Sequence, residues 1–309
     1  MKILVVLFFI LIKANYFSQS IPCFQQKRIC DFQKITNCND LVSFDEDTDT
    51  YYSKKDSRLL YSGKCVTCYR NGQLKSQISI VNGKQDSIGL EYYESGCLQS
   101  KMFYVVGKLD GEITFFYDST NNKAQQELFK EGIRNGKSIE FENNTTNDTL
   151  IYTTFKNNKL DGIKKEFYPN NKIWRIIEYK NGIQNGSQKK YSLEGKIEME
   201  ISFKNGKKDG VWHYYFDSGL EAKLENWSEG SKNGEFKIMD EKGLIKMQEF
   251  YKINIPIDKH IQNYPDGKPK HITIYDKKGI IIEELSFDEF GTKKDIIKRV
   301  EKKKNLNKP

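Results

Sequence analysis

Runs of aromatic and β-branched residues alternate with polar clusters of Asn, Asp, Gly and Lys along most of this chain, and the alternation has a fixed period. Glycine or a stand-in recurs every 24 residues, at Gly63, Ser87, Gly111, Gly136, Gly162, Gly186, Gly210, Gly234 and Asp258, with longer steps of 25 and 26 on either side of Gly136. Nine positions later a second marker falls at Gly72, Gly96, Gly195, Gly219, Gly243 and Gly267, with Thr120, Thr145 and Asn171 filling the remaining units. Seventeen positions after the first marker stands a large apolar residue: Ile80, Tyr104, Phe129, Phe155, Tyr179, Phe203, Trp227, Tyr251 and Tyr275, with Phe129 and Phe155 displaced by one and two places. A strict period means a repeat array. Within one unit, the turn residues from Asn205 to Gly210 and from Asp217 to Gly219 frame a strand-like run from Val211 to Phe216. Two strands and two turns per unit predict one hairpin each. The predicted fold is all-β: an elongated antiparallel β-meander of about nine hairpin repeats over residues 62–291.

Alternation assigns faces. Five positions past the first marker come Cys68, Tyr92, Phe116, Phe141, Phe167, Tyr191, Tyr215, Met239 and Asn263. This column is expected to stack and bind the units together, since a buried aromatic removes roughly 150–250 Å² from water. The next position holds Tyr69, Tyr93, Tyr117, Glu142, Tyr168, Ser192, Phe216, Asp240 and Tyr264, a mixture expected of a surface. Phe115, Tyr117, Trp212, Tyr214 and Phe216 lie among Lys and Glu and form the candidate partner-binding face, because Tyr and Trp are enriched at interfaces. The alternative is a face covered by curvature of the sheet or by the N-terminal segment. Asn143 to Asp148 is a polar insertion where a hairpin tip belongs; with the neighbouring tip, Ser119 to Lys123, it reads either as a local protrusion or as drift in a tolerant loop.

Asn205-Gly206-Lys207-x-Asp209-Gly210 through Tyr214-Tyr215, Tyr92-Tyr93-Glu94-Ser95-Gly96-x-Leu98, and Tyr264-Pro265-Asp266-Gly267-Lys268 resemble the MORN-repeat variant of YwqK-type proteins. The resemblance covers about Ser62 to Gly291. It implies a binding scaffold with protein or membrane partners, and for some relatives a bacterial antitoxin or immunity role.

The charge of +8 fits this picture once it is located. Eight basic residues against Asp295 and Glu301 put +6 into the tail 292–309, and Lys2 and Lys13 put +2 into the first 20 residues, so residues 21–291 are neutral. A neutral body lacks the field that nucleic acid requires. The tail is expected to be solvated, with at most weak contact to anionic membrane. Residues 1–20 have the layout of a signal peptide: Lys2, an apolar run from Ile3 to Ile12, and small residues at Ser18 and Ser20. The protein is therefore expected outside the cytoplasm, in the periplasm, at the cell surface or secreted.

Six cysteines, Cys23, Cys30, Cys38, Cys65, Cys68 and Cys97, suit disulfides in an exported chain, with fifteen pairings open, and are expected to brace an N-terminal cap over residues 21–61. Cys65-x-x-Cys68 has no second pair, and His213, His260 and His271 are distant in sequence, so no metal site is expected. No nucleophile elbow, HExxH or phosphate loop occurs, and no catalytic residue or cofactor is expected. The expected function is an exported, non-enzymatic scaffold at the bacterial cell envelope that binds a protein or a surface polymer; the alternatives are an antitoxin-like protein that neutralises a toxin by binding it, as the resemblance implies, and a scaffold attached to a membrane through its basic tail.

Overall fold

The computed structural model describes residues 29–30 and 37–298; the signal-like segment 1–20, Cys23 and residues 299–309 lie outside the described residues. One antiparallel sheet of 25 strands runs from Gly63–Cys68 to Lys293–Lys298, each strand pairing with its neighbour in sequence, without closing on itself. The predicted meander is the observed one.

One unit shows how the sequence makes it. Strand Gly210–Tyr215 pairs with Glu221–Ser228, with Gly210 opposite Trp227 and Tyr214 opposite Lys223, and a bulge follows before Tyr215 meets Glu221. Every first marker faces its apolar partner in the same way, from Gly63 opposite Ile80 to Asp258 opposite Tyr275. The ring thus lies across a residue with no side chain, or a small one. All nine first markers have positive φ, including Ser87 and Asp258. At Gly136 a Cβ would come within 2.6 Å of Leu128, so glycine is required there by space as well as by backbone.

The two turns differ. The hairpins of successive units are joined by two-residue turns in which both residues have positive φ, such as Asn181–Gly182 and Asn205–Gly206. This mirror-image turn follows the twist of the strands. Val106 and Ile253 occupy its first position at φ 49° and 50°, where a β-branched residue is strained. Ile253 is exposed and gives up little packing on replacement. Ile253→Asn is expected to stabilise the protein by about 1 kcal/mol, read as a raised urea midpoint; an unchanged or lower midpoint would contradict the strain.

At the other edge, each hairpin tip closes on a left-handed residue. Gly72, Gly96, Gly195, Gly219, Gly243 and Gly267 take this role as expected, and so does Asn171. Thr120 and Thr145 do not. In those tips Ser119 and Asn121, and Asn147, are the left-handed residues; asparagine tolerates positive φ and threonine resists it. The array also extends past its expected end. Gly291 closes a further tip at φ 86°, and Lys293–Lys298 returns to pair with Ile281–Phe287, so the segment expected as a solvated tail begins as a strand.

The first strand is gripped from both faces. A short helix, Cys38–Leu41, and a three-stranded sheet, Val42–Asp45, Thr50–Ser53 and Asp56–Leu60, lie against it. Cys65 and Cys68 are three apart on the strand and so point to opposite faces. Cys38 is bonded to Cys65 and Cys30 to Cys68, with Cα separations of 5.0 and 6.5 Å. Cys97 is also disulfide-bonded. Cys38, Val42, Cys65 and Ile80 form a small buried core, with Tyr51, Tyr61 and Ile78 packed against it.

Candidate binding faces

The sheet has a glycine face, carrying the first markers and the rings opposite them, and a reverse face. On the glycine face a ladder of rings crosses the C-terminal units: Phe203, Trp212, Trp227, Phe236, Tyr251, His260 and Tyr275, with successive centroids 4.7–6.0 Å apart. Lys208 lies over Trp212 and Trp227 at 4.4 and 4.2 Å, and Lys232 over Phe236 and Tyr251 at 4.9 and 4.4 Å. These stems cover the rings while the ammonium groups rest on their π faces. Trp212 and Phe236 are buried.

The candidate residues therefore separate. Trp212 is core, not an accessible face: it is only 4% exposed, packs between Phe203 and Trp227, and donates its indole N–H to the Ser202 carbonyl at 2.8 Å. Tyr214, half-buried, follows it on the same strand with Lys223 over its ring. Phe115, half-buried, lies four units earlier, about 40 Å away by the spacing of strands. Tyr117 and Phe216 sit where strands enter the tips. The five do not make one site.

Nor is the tyrosine column a free surface. The hydroxyls of Tyr69, Tyr93, Tyr117, Tyr168 and Tyr264 donate to the carbonyls of Tyr92, Phe116, Phe141, Tyr191 and Phe287, at 2.8–3.1 Å. Each reaches the residue closing the first strand of the next unit and so ties neighbouring tips together. The column expected to be buried is only half-buried, apart from Tyr92. Buried positions include those two after the first marker, at Cys65, Ile113, Trp212 and Phe236, and, where that position is polar, the residues opposite it, Ile177 and Ile201. The period of that column is weak in the sequence because Ser138, Lys164 and Gln188 interrupt it.

Carboxylates line the glycine face beside the rings. Burial acts to raise the pKa of Glu166, but hydrogen bonds and charge from Lys164 at 2.8 Å and Arg175 at 2.6 Å outweigh it and hold the group below its ordinary value. Glu225 behaves alike: burial opposes ionisation, while Lys223 and the indole N–H of Trp227 favour it and prevail. Burial, then the hydrogen bond to Glu249, pushes Tyr251 up to about 12. All three groups are satisfied within the sheet. Among the described residues, no three His, Cys, Asp or Glu are grouped to hold a metal ion, and no helix is long and apolar enough to cross a membrane.

The reverse face carries open grooves. One, of 540 Å³, is lined by Ile139, Thr149, Tyr152, Thr154, Asp161, Gly162, Ile163, Lys165 and Phe167. It lies where the period lengthens, beside the polar insertion. The insertion is tied down: buried Asp148 accepts from Asn144 and Asn171, and Asn147 bonds both the N–H and the carbonyl of Lys123. Three tips are joined by asparagine side chains.

The MORN repeat variant family model matches residues 160–181 and 184–205, two adjacent units in the register described above. No curated protein matches the sequence. Solved structures with some likeness include a TcdB2-TccC3-TEV crystal structure, at 12% identity and a TM-score of 0.19, covering 84% of this chain and 18% of that one. A Photorhabdus luminescens Tc holotoxin pore has 12% identity and a TM-score of 0.15, with the same coverage of 84% and 18%. TcdB2-TccC3 has 10% identity and a TM-score of 0.14, covering 84% and 20%. The chain spans about a fifth of the length of these proteins, and likeness at this level carries no argument about activity. Residues 160–181 and 184–205 are thus MORN-variant repeats by direct match, and the units on either side of them are built with the same strand pairing.

Proposed function

We propose that this protein is an exported, non-enzymatic scaffold that holds a protein partner at the cell envelope through the reverse face of its sheet. The observation that carries the reading is the apolar groove around Tyr152, Ile163 and Phe167, which coincides with the break in the repeat period. A repeated surface offers the same contacts in every unit, whereas selectivity needs a place unlike the others. The disulfides of the cap support an oxidising compartment, in keeping with the signal-like first 20 residues.

Ile163 and Val211 occupy equivalent positions two units apart and are 40% and 42% exposed. Crosslinking in the native envelope, with Ile163→Asp and Val211→Asp compared with wild type, tests the proposal. A partner lost with Ile163→Asp and retained with Val211→Asp is the expected result. Equal recovery by both variants would rule the groove out.

A further inference from the structure

The edge formed by the inter-unit turns has a second distinctive stretch. Three successive turns read Lys156-Asn157-Asn158-Lys159, Lys180-Asn181-Gly182-Ile183 and Lys204-Asn205-Gly206-Lys207. The five lysines and Asn157, Asn181 and Asn205 are exposed. Lys156 lies directly opposite Lys159, and Lys204 directly opposite Lys207, across their hairpins. Like charges placed opposite one another destabilise a sheet, so this arrangement adds nothing to the fold. Two carboxylates lie beside these turns: Asp161 is held by Lys180 at 3.2 Å and by the N–H of Asn181 at 3.1 Å, and Asp209 accepts from the N–H of Glu229 at 3.0 Å. Lys156, Lys159, Lys204 and Lys207 form no ion pair among the described residues. On either side the run stops: exposed Glu131 and Glu229 replace the asparagine in the flanking turns.

We infer that this three-turn edge binds a linear acidic polysaccharide, with its carboxylates on the lysines and its hydroxyls on the asparagine amides. The lysine groups recur about every 10 Å, two strand spacings apart, on the order of the advance of two sugars along an extended chain. The chemistry of the turns selects the class. Lys, Asn, Gly and Ile supply charge and amides but no aromatic ring on which a nucleic-acid base would stack. The net charge of residues 21–291 is zero, so the field is local to the edge. This site adjoins the groove of the proposed function, which Asp161 also lines, and relies on that reading only for the compartment where such polymers occur.

The test is binding of the full chain to immobilised polygalacturonate. The variant is Lys156→Gln, Lys180→Gln and Lys204→Gln combined; the control is Lys246→Gln, Lys259→Gln and Lys278→Gln, which removes equal charge from exposed positions elsewhere. The edge variant is expected to bind about a hundredfold more weakly at low salt, each lost contact being worth about a factor of five, and the control to bind as wild type does. Added salt should weaken wild-type binding. Equal loss in both variants, no binding by wild type, or equally tight binding of double-stranded DNA would overturn the inference. Ile163→Ser, which alters the groove without adding a charge near the lysines, should leave polygalacturonate binding unchanged, so failure here is distinguishable from failure of the groove.

Discussion

Trp212→Ala should cost the protein about 3–5 kcal/mol, a larger loss than Tyr214→Ala two positions along the same strand. Trp212 is buried between Phe203 and Trp227, its indole N–H satisfies the Ser202 carbonyl, and Lys208 rests on its ring. Truncation opens a cavity in a sheet that, among the described residues, has no second layer to collapse into it here, and it leaves the Ser202 carbonyl without that donor. Each unit of an array contacts its neighbours and little else, so the damage should spread locally. Urea denaturation gives the magnitude. Limited proteolysis should place the first cuts near residues 200–230, before the N-terminal units are touched. A loss no greater than that of Tyr214→Ala would mean that the ring ladder is not the core of these units.

The second large effect is expected at the cap. Replacing Cys38 and Cys65 with serine removes a bond closing a loop with a sequence separation of 27, which the chain-entropy account values at about 3 kcal/mol. Both sulfurs lie in the buried cluster with Val42 and Ile80, so two hydroxyls would also take buried positions without assured partners. The cap should then loosen while the distant units keep their stability. Hydrogen exchange separates the two: protection lost around residues 42–60 and retained beyond residue 200 is the expected pattern. Uniform loss would show that the cap supports the whole array, and no loss would show that packing alone holds it.

Much of the fold was legible because the turns are the most constrained parts of the unit. Gly63, Gly136 and Gly210 take backbone angles that few other residues accept, so they recur wherever the chain must bend in that way. Where glycine is missing, the nine-residue spacing marks Thr120 and Thr145, but backbone sterics favour Asn121 and Asn147. The further hairpin ending at Lys298 is hidden in the sequence because its lysines resemble a solvated tail, although Gly291 is an ordinary tip residue.

Burial was less legible. A strand pattern separates two faces but does not say which is covered, and in a single-layer sheet the covering comes from neighbouring strands. Trp212 and Tyr214 share a face in sequence terms, yet one is core and the other half-buried, because Phe203, Trp227 and Lys208 converge on the first. The tyrosines one position after Cys68, Tyr92 and Phe116 look like a decorated surface in the sequence, yet their hydroxyls reach carbonyls in the next unit. That contact spans 23 or 24 residues, a distance at which local pattern is silent. The sequence by itself determined the period, the turns and the pairing of each marker with its ring, since these follow from backbone sterics and strand alternation. Which rings are buried, which tyrosines tie the units together, and where the groove and the lysine edge lie were decided by the tertiary structure, because each depends on side chains from separate units meeting in space.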